Sequence, residues 1–388
     1  MVPQTKDRGL RFTRARLENW RNFTHADVPL QRRVFLVGAN ASGKSNFLDA
    51  FRFLRDVAAP GGGLADAVAR RGGVAKLRAL AAGREPAVSL EVHLGGSDNA
   101  SLWSYELEFA QNNRRQPGVR SESVVRAGQV LLRRPDEADA ADPERLTQTH
   151  LEQVHANQPF REVAEFFASV QYLHLVPQLV REPERWAVRD NDPYGGDLLE
   201  RMAGSDERTL EAKLRRICEA VRVAVPQLDE LQLHRDERTG VAHLRAKYAH
   251  WRARGAWQSE EQFSDGTLRL IGLLWSVLDG AGPLLLEEPE LSLHPEVVRH
   301  IPQMLARVQR KSGRQVLSST HSRDILQDEG IGLDEVVVFQ PRPEGTSVTP
   351  ANDIEQVRQL LQGGLPIGDA VFPLTRPAEA MKLSLVLD

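Results

Sequence analysis

The sequence predicts an α/β fold with a mostly parallel sheet at its core, an antiparallel β subdomain and a helical insertion. Three patterns carry this prediction. A short apolar run over residues 34–37 leads through a glycine-rich turn into an amphipathic segment over 43–57. From Phe263 onward, predicted helices alternate with apolar strands at residues 284–286, 315–317 and 335–339, an order typical of parallel sheets. Alternating runs over 88–94 and 102–109, separated by a turn cluster, predict an antiparallel hairpin.

The remaining elements follow from the same periodicities. The N-terminal part predicts strands over 12–17 and 23–30, and apolar residues at three- and four-residue spacing predict the helix over 43–57. Further hairpins are expected over 124–132 and 231–244. The acidic stretch 133–143, with two prolines, predicts a mobile loop. Residues 144–225 read mostly as helices interrupted by a strand near 172–176, and later helices are expected over 266–278 and 295–310.

We expect the 388 residues to form one composite unit. Its core segments are 10–57 and 255–345. Residues 58–254 are an inserted region of β-hairpins and helices, and 346–388 form a helical C-terminal tail. No internal repeat and no long heptad run is present.

Composition narrows the class of protein. With 41% hydrophobic and 27% charged residues, the chain can bury a globular core, and its net charge of -3 excludes a global polycation. The single cysteine, Cys218, cannot form an internal disulfide. No apolar run approaches the ~20 residues of a spanning helix, and no signal peptide is recognisable. These features predict a cytoplasmic protein without a membrane partner.

The glycine-rich turn has the pattern Gly38-x-x-x-x-Gly43-Lys44-Ser45 between a strand and a helix. In such a loop, backbone N–H groups of residues such as Asn40, Ala41 and Ser42 converge on phosphate oxygens at the positive end of the helix. Lys44 would reach the β- and γ-phosphates and Ser45 would hold Mg²⁺. The competing interpretation is a glycine-rich strand-to-helix turn that binds no ligand.

Two acids end the apolar strand at 284–286, where open parallel sheets bind ligands. Glu287 is a candidate Mg²⁺ ligand, and Glu288 is the candidate base that orients and deprotonates the attacking water. His321 follows the next strand and could hydrogen-bond the γ-phosphate, although a lone histidine is more often structural. Ser264 begins an apolar helix, either as an ordinary cap or as a second phosphate-binding helix terminus.

These motifs occur in a specific order: Trp20-Arg21-Asn22-Phe23, the loop from Gly38 to Asn46, Phe263-Ser264-Asp265-Gly266-Thr267, Leu286-Glu287-Glu288-Pro289-Glu290, Leu293-His294-Pro295 and Ser319-Thr320-His321-Ser322. In that order they resemble the RecF/SMC-like branch of ABC-type P-loop ATPases, in particular stand-alone AAA-family ATPases related to OLD-family proteins. The chain after His321 is too short for the Toprim nuclease domain of OLD proteins.

The resemblance implies an ABC-type ATPase head with ATP and Mg²⁺ as cofactors. Arg21, Asn22 and Asn46 would then lie at the nucleotide. Ser264 and Gly266 match the ABC signature, which in that family contacts the γ-phosphate held by the opposite subunit. A homodimer would form around ATP, with His294 facing its seam, and His321 matches the switch histidine.

Two departures from the family pattern bear on activity. Position 287 is Glu where the family usually has Asp. The extra methylene group could shift Mg²⁺ and slow the hydrolysis of ATP. No glutamine is assigned to the family's Q-loop, with Gln171 and Gln178 as guesses.

The leading hypothesis is an ATP-hydrolysing switch that controls a nuclease or Toprim-like effector in phage defence or DNA maintenance, an inference from resemblance alone. The alternatives are a transporter's ATP-binding subunit, a low-turnover nucleotide-binding scaffold and, least favoured, a nuclease. DNA is a candidate partner through local basic residues, for which solvated surface charge is the favoured explanation: Arg114, Arg115, Arg120, Arg126, Arg133 and Arg134.

Overall fold

The computed structural model describes residues 9–83, 86–96, 99–182, 192–249, 256–376 and 382. Its strands are β1 (Arg11–Trp20), β2 (Phe23–Pro29), β3 (Arg33–Gly38), β4 (Val88–Gly95), β5 (Trp103–Gln111), β6 (Pro117–Arg126), β7 (Gln129–Arg134), β8 (Gln171–Leu173), β9 (Leu228–Arg235), β10 (Ala242–Tyr248), β11 (Ala256–Ser259), β12 (Leu284–Glu287), β13 (Val316–Thr320), β14 (Val336–Arg342) and β15 (Gly345–Pro350). Its α-helices are α1 (Lys44–Ala58), α2 (Leu64–Ala69), α3 (Val74–Leu77), α4 (Glu137–Ala141), α5 (Arg161–Ala168), α6 (Pro177–Arg181), α7 (Leu198–Ala203), α8 (Glu207–Ala224), α9 (Asp265–Leu278), α10 (Pro295–Val298), α11 (Ile301–Ser312), α12 (Glu355–Gln362) and α13 (Ile367–Val371).

A six-stranded sheet in the order β15-β14-β3-β13-β12-β8 forms the centre of the fold. All neighbours are parallel except β14 and β15. Strand β3 is buried along its whole length, as expected for a strand covered on both faces. The predicted α/β fold with a mostly parallel sheet is confirmed, and the carboxyl ends of β3, β13, β12 and β8 lie side by side.

A second six-stranded sheet is antiparallel, in the order β2-β1-β4-β5-β6-β7. Alternate residues of β3 face opposite ways: Val34 and Leu36 join the core shared with α1 and the antiparallel sheet. Phe35 and Val37 join the core shared with α12 and α13. The period-two alternation of β3 thus places one strand between two hydrophobic layers.

A three-stranded sheet in the order β11-β10-β9 packs with α8 and α9 in a further hydrophobic core. Helix α9 contributes ten buried residues to this region of the fold, so most of its surface is covered. The predicted hairpin over 231–244 corresponds to β9 and β10.

Hydrogen bonds outside the strand ladders also join the two large sheets. The side-chain amide of Gln315, just before β13, donates to the backbone oxygen of Phe12 in β1 at 2.7 Å, and its oxygen accepts from the Phe12 N–H at 2.9 Å. The N–H of Thr346 in β15 donates to the backbone oxygen of Asn22 at 2.8 Å. Each contact joins residues that are more than 300 positions apart in sequence.

The tail 346–388 begins in strand β15 and continues with helices α12 and α13, and its residues 377–381 and 383–388 lie outside the described part of the chain. Two expectations about secondary structure were wrong. The expected helix over 295–310 is two helices, α10 and α11. The stretch 133–143 contains α4, and Arg134 is 1% exposed, so this stretch is not an open loop. The proposed segment boundaries stay predictions.

Within the described residues, no helix is both long enough and apolar enough to cross a membrane.

Candidate functional site: a phosphate loop at the ends of the parallel strands

The phosphate loop connects β3 to α1, and its two glycines are required by close contacts. A Cβ on Gly38 would lie 2.4 Å from Ser42 Oγ and 2.7 Å from the backbone oxygen of Phe339. Gly43 has φ 95°, and a Cβ there would lie 2.1 Å from Asn22 Nδ2. Only glycine fits both positions. Asn40 and Ala41 are exposed, with Ala41 at φ 60°, so the tip of the loop is open to a ligand.

Lys44 lies folded back over this loop. Its Nζ donates to the backbone oxygens of Gly38 at 3.0 Å and Ala39 at 3.1 Å, and lies 2.9 Å from His321 Nε2. Burial lowers the pKa of Lys44 to about 8, and the nearby carboxylates, led by Glu288, offset this only in part. The ammonium donates to two neutral backbone oxygens, and the charged oxygens of a phosphate would be stronger acceptors for it.

His321 lies between Lys44 and the candidate base. Its Nε2 is 3.0 Å from Glu288 Oε1 as well as 2.9 Å from Lys44 Nζ. One ring nitrogen carries either a proton or a lone pair, so it can hydrogen-bond only one of these neighbours at a time. The hydrogen bond from His321 lowers the pKa of Glu288 below its ordinary value. Glu288 is thus an ionised carboxylate, the form that a general base needs.

Glu288 is also held in an unusual backbone conformation, with φ 45°. Its N–H donates to the backbone oxygen of Ser319 at 3.2 Å, which fixes the turn after β12 against β13. A non-glycine residue in the left-handed region costs about 1–3 kcal/mol and is most often found at functional sites.

Glu287 accepts hydrogen bonds at both of its oxygens. The hydroxyl of Ser45 donates to Oε1 and that of Tyr172 donates to Oε2, while His174 Nδ1 lies 3.7 Å from Oε1. Burial opposes ionisation of this carboxyl, but the contacts with His174, Ser45 and Tyr172 outweigh it and lower the pKa of Glu287 to about 2. Burial and the neighbouring Glu287 raise the pKa of Tyr172, so the phenol remains a neutral donor.

Glu290 holds the backbone segment that carries His321. It is 7% exposed, and its Oε1 accepts from Thr320 Oγ1 at 2.6 Å and from the His321 N–H at 2.9 Å. Burial raises the pKa of Glu290. Its side chain therefore positions the backbone from which His321 projects.

Arg21 and Asn22 lie beside the loop but are engaged with protein groups. Arg21 Nη2 pairs with Asp49 Oδ2 at 2.7 Å. The Asn22 amide donates to Thr346 Oγ1 at 2.6 Å and to the Ser42 backbone oxygen at 3.3 Å, and its Oδ1 accepts from Asn46 Nδ2 at 2.7 Å. Asn22 thus shapes the loop, while Arg21 lines a cleft of about 680 Å³ with Ser45, Asn46, Tyr172, His174 and Glu287 among its other residues.

Ser264 and Gly266 are not brought to the phosphate loop of their own chain by any contact among the described residues. Ser264 is exposed and caps α9, accepting from the Thr267 N–H at 3.2 Å. A Cβ on Gly266 would lie 2.5 Å from the backbone oxygen of Ser292, in the turn that follows Glu290. His294 is exposed in the same turn and caps α10. Their proposed roles across a dimer stay predictions.

The donor set fits a nucleotide with a divalent cation. Backbone groups and Lys44 can hold phosphates, and the ionised Glu287 with the Ser45 hydroxyl supplies oxygen donors for Mg²⁺. Among the described residues, no group of three or more His, Cys, Asp or Glu side chains is arranged to hold a metal ion. A cation here would depend on phosphate oxygens for the rest of its ligands.

Sequence reasoning missed Tyr172 and His174 at this site. Both belong to the predicted strand near 172–176, and the signal that points to them is their position where a parallel strand ends. The two glutamines considered for the Q-loop are elsewhere engaged or exposed: Gln171 Oε1 accepts from Arg314 at 2.7 Å, and Gln178 is exposed. The suggestion that Arg134 contacts DNA was wrong, because it pairs in the interior with Glu122 and Asp139.

Comparison with known proteins agrees with this geometry. Residues 33–326 match the family described as "AAA domain, putative AbiEii toxin, Type IV TA system". A comparison with curated proteins gave no match. A crystal structure of an Smc head bound to the C-winged helix domain of ScpA superposes with a TM-score of 0.56 at 15% identity, covering 87% of this chain and 97% of the other.

A second similar structure is the Pyrococcus furiosus Smc head domain with an extended coiled coil, bound to the C-terminal domain of ScpA. It has a TM-score of 0.51 at 12% identity and covers 91% of this chain and 100% of the other. At these identities the likeness shows the fold. The expected RecF/SMC-like head is thereby confirmed: the chain belongs to this AAA-domain family and has the ABC-type P-loop ATPase fold of the SMC heads.

Proposed function

We propose that the protein is an ATP-binding and ATP-hydrolysing switch that homodimerises around ATP and Mg²⁺ and controls a separate effector protein. The observation that carries the proposal is the meeting of Lys44, His321 and Glu288 at the ends of three adjacent parallel strands.

The residues divide the work of hydrolysis. Lys44 exchanges the carbonyls of Gly38 and Ala39 for phosphate oxygens, which frees His321 to respond to the terminal phosphate. Glu288, ionised and no longer bound by His321, accepts a proton from the attacking water. Glu287 and Ser45 would hold Mg²⁺, which supplies charge neutralisation on the phosphates.

The exposure of Ser264 supports a dimer. A helix N-terminus that is open to solvent and that contacts no described residue of its own phosphate loop can bind an anion presented by a second chain. The turn that contacts Gly266 begins just after Glu290, so a partner seated on Ser264 would lie close to the residues that position His321.

Control of an effector is supported by the comparisons and not by the site itself. The two Smc heads named above are each bound to a domain of ScpA, so this fold can carry a protein partner. The family description refers to a toxin of a Type IV toxin–antitoxin system, which favours a defence role for the chain and its effector.

Solution mass with and without ATP and Mg²⁺ tests the dimer. Glu288→Gln should double in mass with ATP, because it binds without hydrolysis, and Lys44→Ala should remain monomeric. Adding Ser264→Asp to Glu288→Gln keeps a helix cap but places a negative charge against the phosphate, so this double variant should stay monomeric. An unchanged monomer mass for Glu288→Gln would exclude the dimer, and phosphate release that persists in Lys44→Ala would exclude the proposed ATPase site.

A further inference from the structure

The nucleotide site contains an imidazole beside its candidate metal ligands. Strand β8 pairs with β12 in parallel register, with Leu286 opposite Leu173. The next residues along the two strands are Glu287 and His174, so the register places them together at the sheet's carboxyl edge. His174 Nδ1 lies 3.7 Å from Glu287 Oε1, the same oxygen that accepts the Ser45 hydroxyl.

Residues 193 and 194 hold His174 in position. The backbone N–H of His174 donates to the backbone oxygen of Pro193 at 3.0 Å, and its ring packs edge-on against Tyr194 with the ring centres 6.1 Å apart. Among the described residues, the ring's polar partner is Glu287, whose pKa it helps to lower across 3.7 Å. A neutral ring with its proton on Nε2 presents the Nδ1 lone pair toward the same oxygen, so a cation between the two atoms would be held by both.

One carboxylate oxygen of Glu287, Oε1, faces Ser45 and His174, because the other oxygen is hydrogen-bonded to Tyr172. Tyr172 occupies Oε2, and the guanidinium of Arg52 lies over the Tyr172 ring at 4.7 Å from its centre, which holds the phenol in place. Oε1, the Ser45 hydroxyl and His174 Nδ1 then face the same small volume. Three donors that lie this close together can bind one cation after a small movement of the side chains.

We propose that His174 coordinates the nucleotide-bound cation through its ring nitrogen, so that the site prefers a first-row transition ion such as Mn²⁺ to Mg²⁺. Mg²⁺ is a hard ion that selects oxygen donors, whereas imidazole is a good ligand for first-row transition metals. The inference rests on the proposed nucleotide site and adds the identity of its metal.

The test uses electron spin-echo spectroscopy of the full-length protein with Mn²⁺ and ADP. The wild type should show nitrogen modulation from a directly bound imidazole, and His174→Gln should lose it. His321→Gln is the matched control, since it removes the other histidine near the loop and should retain the modulation. In nucleotide titrations, the ratio of affinities with Mn²⁺ and with Mg²⁺ should fall by about tenfold or more in His174→Gln.

The outcomes separate the role of His174 as a metal ligand from the existence of the nucleotide site. Equal modulation in wild type and His174→Gln, or an unchanged Mn²⁺-to-Mg²⁺ ratio, would overturn the nitrogen ligand while leaving the nucleotide site intact. Failure of the wild type to bind ADP with either cation would instead overturn the proposed function on which the inference rests.

Discussion

Nucleotide affinity should fall as the pH rises above 8, because Lys44 loses its proton in the free protein. Burial lowers the pKa of Lys44 to about 8 from an ordinary 10.5. The ammonium form binds phosphate, and bound phosphate restores the higher pKa, so binding above pH 8 requires proton uptake. If the bound value is 10.5, affinity falls roughly eightfold between pH 7.5 and pH 9, or about 1.2 kcal/mol, and changes little below pH 7.

Calorimetric titration with ADP over this pH range, in buffers of different ionisation enthalpy, measures both the affinity and the protons taken up. Phosphate groups titrate near a pKa of about 6, so the ligand contributes little in this window. Lys44→Arg is the matched control, since arginine keeps its charge throughout and should bind with a flat pH profile. A wild-type affinity that is constant from pH 7.5 to 9, or the same slope in Lys44→Arg, would refute the reasoning.

Three further predictions concern the scaffold of the site. Arg134→Met leaves the buried Glu122 without an ion-pair partner and Asp139 with Arg145 alone, and should lower the free energy of unfolding by about 3–5 kcal/mol in urea titrations. Substitution of its exposed neighbour, Arg133→Met, should change the free energy of unfolding by less than about 0.5 kcal/mol. Equal effects of the two substitutions would contradict the importance of the buried ion pairs of Arg134. Gly43→Ala should cost about 1–3 kcal/mol and abolish nucleotide binding, because φ is positive and the added Cβ has no room; normal ADP titration would contradict this. Glu290→Ala leaves the buried Thr320 hydroxyl and the part-buried His321 N–H without their acceptor, and it should cost at least about 2 kcal/mol while slowing phosphate release. Glu290→Gln should be closer to wild type because it keeps an acceptor. Indistinguishable Ala and Gln variants would argue against this positioning role.

Local patterns were sufficient for the central part of the fold. The phosphate loop, its strand and its helix are contiguous, so residue spacing alone predicts their order. Strands β12 and β13 are short, apolar and bounded by turns, and the acids and histidine that follow them could be assigned to one edge by the general rule for parallel sheets.

Long-range pairing could not be predicted in this way. Tyr172 and Glu287 are 115 positions apart, and nothing in the local pattern of β8 shows that it lies beside β12. Arg134 illustrates the opposite error: an arginine pair next to an acidic stretch is typical of a solvated surface, yet Glu122 and Asp139 enclose one of the two arginines. Its burial depends on how β6, β7 and α4 close together, which spacing does not encode.

The path of the chain through the parallel sheet has a consequence during synthesis. Strand β3 emerges early, but both its neighbours, β13 and β14, belong to the last quarter of the sequence. Asn22, which shapes the phosphate loop, is hydrogen-bonded to Thr346, 324 positions later. A nascent chain therefore holds its phosphate-loop sequence unpaired on the ribosome until translation is nearly complete. We therefore expect the phosphate loop to take up its final conformation only late in synthesis, and fragments that lack β13 and β14 to lack the nucleotide site.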